Sequence, residues 1–221
     1  MENLTLIIPA KNEKESLPSF LDEVNKLNCK KLIVLQKEDI ETQKIISENQ
    51  NVKILIQKNN GYGNALIEGI NASDTEYCCI INADGSMDPK YLKKMLEDCK
   101  DIDLVFASRY EKNGGSEDDT LVTYTGNKIF SFIGNFLFKL NISDILYTFV
   151  LGKTNSFKSL NLKSYDFRLC VEIPIKAKKN NLKYLVTPSK ERSRIAGTKK
   201  VNAIKDGLLI LIGILSYKFM K

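Results

Sequence analysis

Short apolar runs alternate with longer stretches of helical periodicity along this chain. Leu4–Ile8, Lys31–Leu35, Val52–Ile56, Tyr77–Ile81, Leu104–Ala107, Phe149–Leu151 and Tyr184–Val186 read as strands. Ser16–Leu27 places Leu17, Phe20, Leu21, Val24 and Leu27 on one face, the spacing of an amphipathic helix. Ile40–Asn49, a segment from about Asn64, Tyr91–Cys99, Tyr124–Leu140 and Leu169–Lys179 follow as helices. The last contains Pro174, expected early in the helix or at a kink. Strands alternating with helices predict a parallel sheet with right-handed crossovers. In Tyr124–Leu140 the apolar side of Ile129, Phe130, Ile133, Phe136 and Leu137 is expected to face the core, with a lipid-facing groove as the alternative.

The run Tyr77–Ile81 ends abruptly in Asn82-Ala83-Asp84-Gly85-Ser86. Asp84 therefore sits at the C-terminal edge of the sheet, where open α/β folds bind ligands. A carboxylate there can hold Mg2+ or Mn2+, which prefer oxygen ligands and share them with phosphates. Asp88 and Pro89 read as the N-cap and first turn of the next helix. Without chemistry, the same stretch is simply a strand, a turn and a capped helix. Arg109 is another charged group at a strand end. Gly61 and Gly63 permit a tight loop, and the helix from Asn64 offers N–H groups to an anion. A plain turn explains such a pair as well. Glu111–Asp119 is polar and contains glycine, which predicts a mobile loop. The basic run Lys190–Lys200 is either a solvated face or, with its central Gly197, a phosphate clamp.

Ala203–Met220 is apolar all round, yet shorter than the roughly 20 residues of a membrane span. Lys199, Lys200, Lys205, Lys218 and Lys221 flank it. It reads as a helix lying in an anionic membrane interface, a buried core helix or a homodimer contact.

At 221 residues the chain suits one substantial α/β domain, residues 1–202, with 203–221 as a C-terminal apolar helix. The net charge of +6 suits nucleotide phosphates or an anionic surface. No basic motif with interleaved aromatics points to nucleic acid. With no histidine and no Cys-x-x-Cys spacing, zinc sites and histidine catalysis are excluded. The cysteines fit a reducing cytosol. Nothing basic precedes Leu4–Ile8, so no signal peptide is expected.

The order of these pieces resembles the family 2 glycosyltransferases of GT-A fold, and within them the dolichol-phosphate mannosyltransferase and polyprenyl-phosphate glycosyltransferase branch. Ile8-Pro9-Ala10-Lys11-Asn12-Glu13 resembles the family's opening nucleotide loop. Gly61-Tyr62-Gly63-Asn64-Ala65-Leu66 resembles its Gly-x-Gly-x-Ala-Leu segment, and Asn82-Ala83-Asp84 its metal motif. Ser108-Arg109-Tyr110, Asp144 with Phe149, Val171-Glu172 with Ala177, and Arg194-Ile195-Ala196-Gly197 with Lys200 match its later motifs.

The resemblance implies a Rossmann-like, mostly parallel sheet flanked by helices. It also implies inverting sugar transfer from a GDP- or UDP-sugar to a polyprenyl-phosphate or glycan acceptor. Asp84, with Asn82 or Ser86, would hold Mg2+ or Mn2+. Arg109, Arg194 and Lys200 would steady the diphosphate. Pro9, Ala10, Lys11, Glu13, Gln36, Asn64 and Ala83 would seat the donor. Asp144 or Glu172 would serve as base toward a hydroxyl, whereas a lipid phosphate needs none. Such a protein is expected in the cytoplasm, peripheral at the inner face of the cell membrane.

Several positions depart from the family pattern. Leu35-Gln36 stands where two aspartates usually read the nucleotide, and Asn82 replaces the first metal-motif aspartate. Ser131-Phe132 and Val150 stand where the branch often carries arginine, and Lys128 is a substitute one turn away. These changes admit a second reading, a catalytically impaired binding module of the same fold that recruits a partner. A nucleotidyltransferase is disfavoured because the loop after the first strand lacks glycine.

Overall fold

The computed structural model describes residues 1–47, 51–197 and 203–219. The first apolar run forms β1 (Leu4–Ala10), buried along nearly its whole length because helices cover both faces of the sheet. It is followed by α1 (Leu17–Val24), β2 (Lys30–Leu35), α2 (Ile40–Ser47), β3 (Lys53–Ile56), α3 (Tyr62–Ala72) and β4 (Tyr77–Ile80). After a 3-10 turn at Pro89–Tyr91 come α4 (Leu92–Asp98), β5 (Leu104–Ser108), β6 (Gly115–Ser116) and α5 (Leu121–Phe138). The chain ends with β7 (Val150–Lys153), α6 (Thr154–Ser159), α7 (Leu169–Lys179), β8 (Tyr184–Pro188), β9 (Lys190–Glu191) and α8 (Ala203–Phe219).

The sheet runs β3-β2-β1-β4-β7-β5-β8. All its pairings are parallel except those of β7, which is antiparallel to both β4 and β5. The sheet is thus mostly parallel, as expected, with one reversed strand. The reversal matters for the site. It brings residues 146–148, just before β7, to the same edge as the C-terminal ends of β4 and β5. Two apolar clusters, one on each face, fill the space between sheet and helices.

Other sequence expectations are also revised. Pro174 lies inside α7 and not at its start, which leaves the kink as the remaining expectation. Residues 111–119 do not form a free loop: Gly115–Ser116 pairs with Lys190–Glu191 as a second small sheet. The side of α5 read as core is divided. Phe130, Ile133 and Leu137 pack against the core, whereas Ile129 and Phe136 are exposed. Residues 48–49 of the second expected helix and Lys199 and Lys200 of the basic run lie outside the described residues.

Candidate active site

A cleft of about 390 Å³ opens at the C-terminal edge of the sheet, a size suited to a small ligand. Pro9, Ala10, Lys11 and Glu13 line one wall, following β1. Their loop is pinned to the β2–α2 connection and the first turn of α2: Asn12 N–H donates to Asp39 Oδ2 at 2.7 Å, and Glu13 N–H to Thr42 Oγ1 at 3.2 Å.

Asn82, Ala83 and Asp84 form the floor. Asp84 is oriented from both sides. Its Oδ1 accepts from Ser86 N–H at 3.0 Å and Ser86 Oγ at 2.8 Å, and its Oδ2 lies 3.1 Å from Arg194 Nη1. Ser86 thus fixes the carboxylate from below and lies outside the cleft lining. The segment carrying Arg194 is seated on this turn. Ile195 N–H donates to the Asp84 carbonyl at 2.9 Å, Arg192 N–H donates to the Ser86 carbonyl at 2.9 Å, and the Arg192 guanidinium donates to the Gly85 carbonyl. Arg194 also reaches Asp118 at 3.2 Å.

Arg109 is buried, yet it lines the cleft. Its Nε and Nη2 donate to Asp144 at 2.7 and 3.0 Å, and Nη1 donates to Glu191 at 3.1 Å. Burial works against its charge, but the Asp144 and Glu191 carboxylates outweigh it and hold the guanidinium protonated. Asp144 accepts both prongs of this fork, holds Arg109 in place and lies outside the cleft lining.

Glu172 also stands apart from the cleft lining. It is fully buried away from the cleft, where it accepts from the backbone N–H groups of Lys163 and Ser164 and pairs with Lys176 at 2.7 Å. Gln36 and Asn64 fall outside the cleft lining as well. Gln57, at the end of the neighbouring strand β3, lines the cleft where Gln36 was expected. The Asn64 side chain caps the Asn60 carbonyl, and its N–H donates to the Tyr165 carbonyl. The Asn64 N–H is therefore taken up within the fold and is not offered to an anion. A Cβ on Gly63 would lie 2.1 Å from the Ser164 carbonyl oxygen, so this glycine serves close packing. Lys200 lies outside the described residues.

Several cleft residues carry no sequence signal of their own. Asp118, Asp119 and Glu191 add carboxylates to the polar end. Burial raises the Glu191 carboxyl above its usual range despite Arg109 and Ser116 nearby. Tyr62, Leu146, Phe167, Cys170 and Ile210 make the other end apolar. Tyr62 stacks on Phe167 at 4.8 Å, and its hydroxyl bridges Thr148 Oγ1 at 2.7 Å and Asn82 Oδ1 at 3.3 Å. Burial pushes the Cys170 thiol up to about 12, so it lines the wall as an apolar group.

Among the described residues, no three acidic or thiol side chains cluster as a metal cage. Asp84 and Asn82 nonetheless bring a carboxylate and an amide oxygen to one edge of the cleft. That donor set fits Mg2+ or Mn2+ when a bound diphosphate completes the shell.

A family model described as glycosyl transferase family 2 matches residues 5–160. An uncharacterized glycosyltransferase of Mycobacterium bovis is 29% identical over 107 residues, 48% of this chain and 48% of that protein. Its counterpart in Mycobacterium tuberculosis strain H37Rv matches to the same extent. The chain thus spans about half the length of the curated relatives it matches. Glucosyl-3-phosphoglycerate synthase from Mycobacterium tuberculosis, solved with Mn2+, UDP and glucosyl-3-phosphoglycerate, is similar with a TM-score of 0.76 at 12% identity. That match covers 99% of this chain and 80% of that one. The structure of that enzyme with Mg2+ and UDP gives 0.75 at 13% identity, with the same coverage. At such identities the likeness establishes the fold, a mostly parallel GT-A sheet flanked by helices.

Proposed function

Because the chain belongs to glycosyl transferase family 2, we propose that it transfers a sugar, with inversion, from a nucleotide-sugar to a polyprenyl-phosphate or glycan acceptor. The observation that carries this is the convergence of Pro9–Glu13, Asn82, Asp84, Arg109 and Arg194 on one cleft at the sheet edge. Donor binding falls to the Pro9–Glu13 wall and Gln57. UDP-sugars are the first donors to test, since the similar structures hold UDP, and GDP-sugars come next. Mg2+ or Mn2+, when bound, supplies Lewis-acid neutralisation of the departing diphosphate.

The acceptor oxygen attacks the anomeric carbon, and the bond to the diphosphate oxygen breaks with its electron pair. Arg194 stands beside Asp84 to take up that charge, and Lys200 would add to it. Such charge stabilisation is usually the largest catalytic term. Arg109, held rigid by Asp144 and Glu191, lines the same cleft, and its guanidinium is shared with those carboxylates. An acceptor phosphate needs no base, and this agrees with Asp144 and Glu172 both being committed elsewhere. The apolar end, from Tyr62 to Ile210, suits the first isoprene units of a lipid phosphate. The similar glucosyl-3-phosphoglycerate synthase is solved with phosphoglyceric acid, which is not a lipid phosphate, so a small phosphorylated hydroxy acid is a further acceptor to test. A membrane-held acceptor calls for contact with a membrane surface, as residues 203–221 were expected to provide. No described helix is long and apolar enough to cross a membrane.

The second reading, an impaired binding module, is favoured by Asn82 and by the uncharged Leu35-Gln36. Calorimetric titration with UDP-, GDP- and CMP-sugars, with and without Mn2+, on wild type and Asp84→Ala separates the two. Metal-dependent binding of one nucleotide, lost in Asp84→Ala, supports the transferase. Silence across the panel supports the binding module.

A further inference from the structure

Among the described residues, fourteen large apolar side chains are exposed, and ten of them lie on α5 or α8. Scattered exposed apolar residues are ordinary, but a contiguous set marks an interaction surface. The two helices pack side by side and run parallel. Gly207, near the start of α8, faces the Phe130 ring at the middle of α5, and Lys218 Nζ donates to the Leu137 carbonyl near the ends of both.

Around α5, Phe132 and Phe136 lie roughly a third of a turn or more from Phe130 and Leu137, which meet α8. Around α8, Leu208, Ile212, Leu215 and Phe219 lie roughly a quarter turn from those that meet α5, opposite the buried Ile210, Ile214 and Tyr217. The two stripes therefore face the same way, outward, as one surface. Phe132 is 70% exposed, Phe136 76% and Phe219 84%, and the rings of Phe132 and Phe136 stack on each other at 6.3 Å. A core-facing stripe cannot show such values.

We propose that α5 and α8 together form a docking surface for an anionic phospholipid bilayer, with both helices lying flat in the interface. Charge selects this occupant. The described residues of α5 include no acidic side chain, and those of α8 only Asp206. Lys139, Lys205 and Lys218 are exposed at the helix ends. A second copy seated on this face would oppose like charges, whereas anionic headgroups complement them. An apolar stripe edged by lysines is the arrangement that lies in a membrane interface. The surface also adjoins the cleft. Thr123 and Asn127 of α5 and Ile210 of α8 line it, so a docked chain holds the acceptor end of its cleft close to the lipid. Delivery of a lipid-linked acceptor rests on the function proposed above, while the surface itself stands on exposure and charge.

The test is sedimentation of the full chain with vesicles of phosphatidylglycerol and, separately, phosphatidylcholine. The comparison set is wild type, Phe132→Asp/Phe136→Asp on α5, and Ile212→Asp/Leu215→Asp on α8. None of these four side chains lines the cleft, so UDP-sugar titration and circular dichroism report whether each variant is folded. Wild type is expected to pellet with phosphatidylglycerol vesicles and much less with phosphatidylcholine, and each double variant to bind at least about tenfold more weakly. Equal pelleting by wild type and variants, or no pelleting of folded wild type, overturns the proposal. Loss of binding in the α8 variant alone removes α5 from the surface. A wild-type dimer in light scattering that the variants dissolve, without vesicle binding, assigns the face to a second copy. Vesicle binding without any nucleotide binding leaves the surface standing and removes the transferase reading.

Discussion

Arg194 Nη1 lies 3.1 Å from Asp84 Oδ2. The one charged residue of the Asn82–Asp84 motif thus faces a guanidinium on one oxygen and Ser86 on the other. A guanidinium and a divalent cation compete for the same carboxylate oxygen, while a diphosphate attracts both. The pair links cation affinity to donor affinity through a single side chain.

Replacing Arg194 with glutamine is therefore expected to move two affinities in opposite directions. Mn2+ alone should bind more tightly, because Oδ2 is released. UDP in the presence of Mn2+ should bind about tenfold more weakly, the scale of one lost charge-assisted hydrogen bond. Calorimetry on both ligands reads this directly. If both affinities stay unchanged, Arg194 has no part in the donor site.

Asp144 gives a stability prediction. It holds the buried Arg109 by a two-pronged contact, and removing one partner of a buried pair typically costs 3–5 kcal/mol. Glu191 and Asp119 remain beside Arg109, so Asp144→Ala is expected at the low end, about 3 kcal/mol. For a chain of this size that lowers Tm by roughly 6–12 °C. A Tm within a degree of wild type would mean that Arg109 finds full compensation elsewhere.

Much of this architecture is legible in the sequence, because period-2 and period-3.6 patterns report which faces are covered. The strand ahead of Asp84, the N-cap at Asp88 and the placement of Arg109 at a strand end all follow from local chemistry. What is not legible depends on distant partners. Arg109 meets Asp144 and Glu191 across 35 and 82 residues, and no local signal says that these carboxylates are taken. Gly63 could equally have served an anion or close packing, and only the Ser164 carbonyl decides between them. In α5 the apolar residues wrap so far round the helix that periodicity cannot say which side meets the core. The reversed β7 is too short for its direction to be read.

Glu172 separates structure from catalysis by pH. Burial raises its carboxyl, but Lys176 and the Ser164 and Lys163 backbone groups prevail and hold it below its usual range. The folded pKa is therefore the lower one. Its stabilising contribution is present above the unfolded value, about 4.3, and disappears as pH falls through the folded value. Glu172→Gln should accordingly be less stable than wild type at neutral pH, with the gap closing below about pH 4. Denaturant melts across pH measure it. In the folded variant, nucleotide affinity should match wild type, and a selective loss of turnover would restore Glu172 as a catalytic candidate.

Glu191 decides what kind of acceptor the cleft serves. Its carboxyl lines the cleft, accepts from Arg109 at 3.1 Å, and is raised chiefly by burial. A carboxylate shifted toward neutrality is what a general base requires, and losing such a base costs about 10²–10⁴ in rate. With a sugar hydroxyl as acceptor, Glu191→Gln should lower kcat by that range and abolish the acidic limb of the pH profile. With a phosphate acceptor, whose oxygen is already ionised, the same variant should lose only several-fold through the loosened Arg109, and the acidic limb should stay. The stability slope supplies a control. A carboxyl raised in the folded state favours folding at low pH and loses that contribution as pH rises through the unfolded and then the folded value. Glu191→Gln should remove this slope with either acceptor, so a slope that persists in the variant's melts would show that it has another source and that the kinetics cannot be assigned to a raised Glu191 carboxyl.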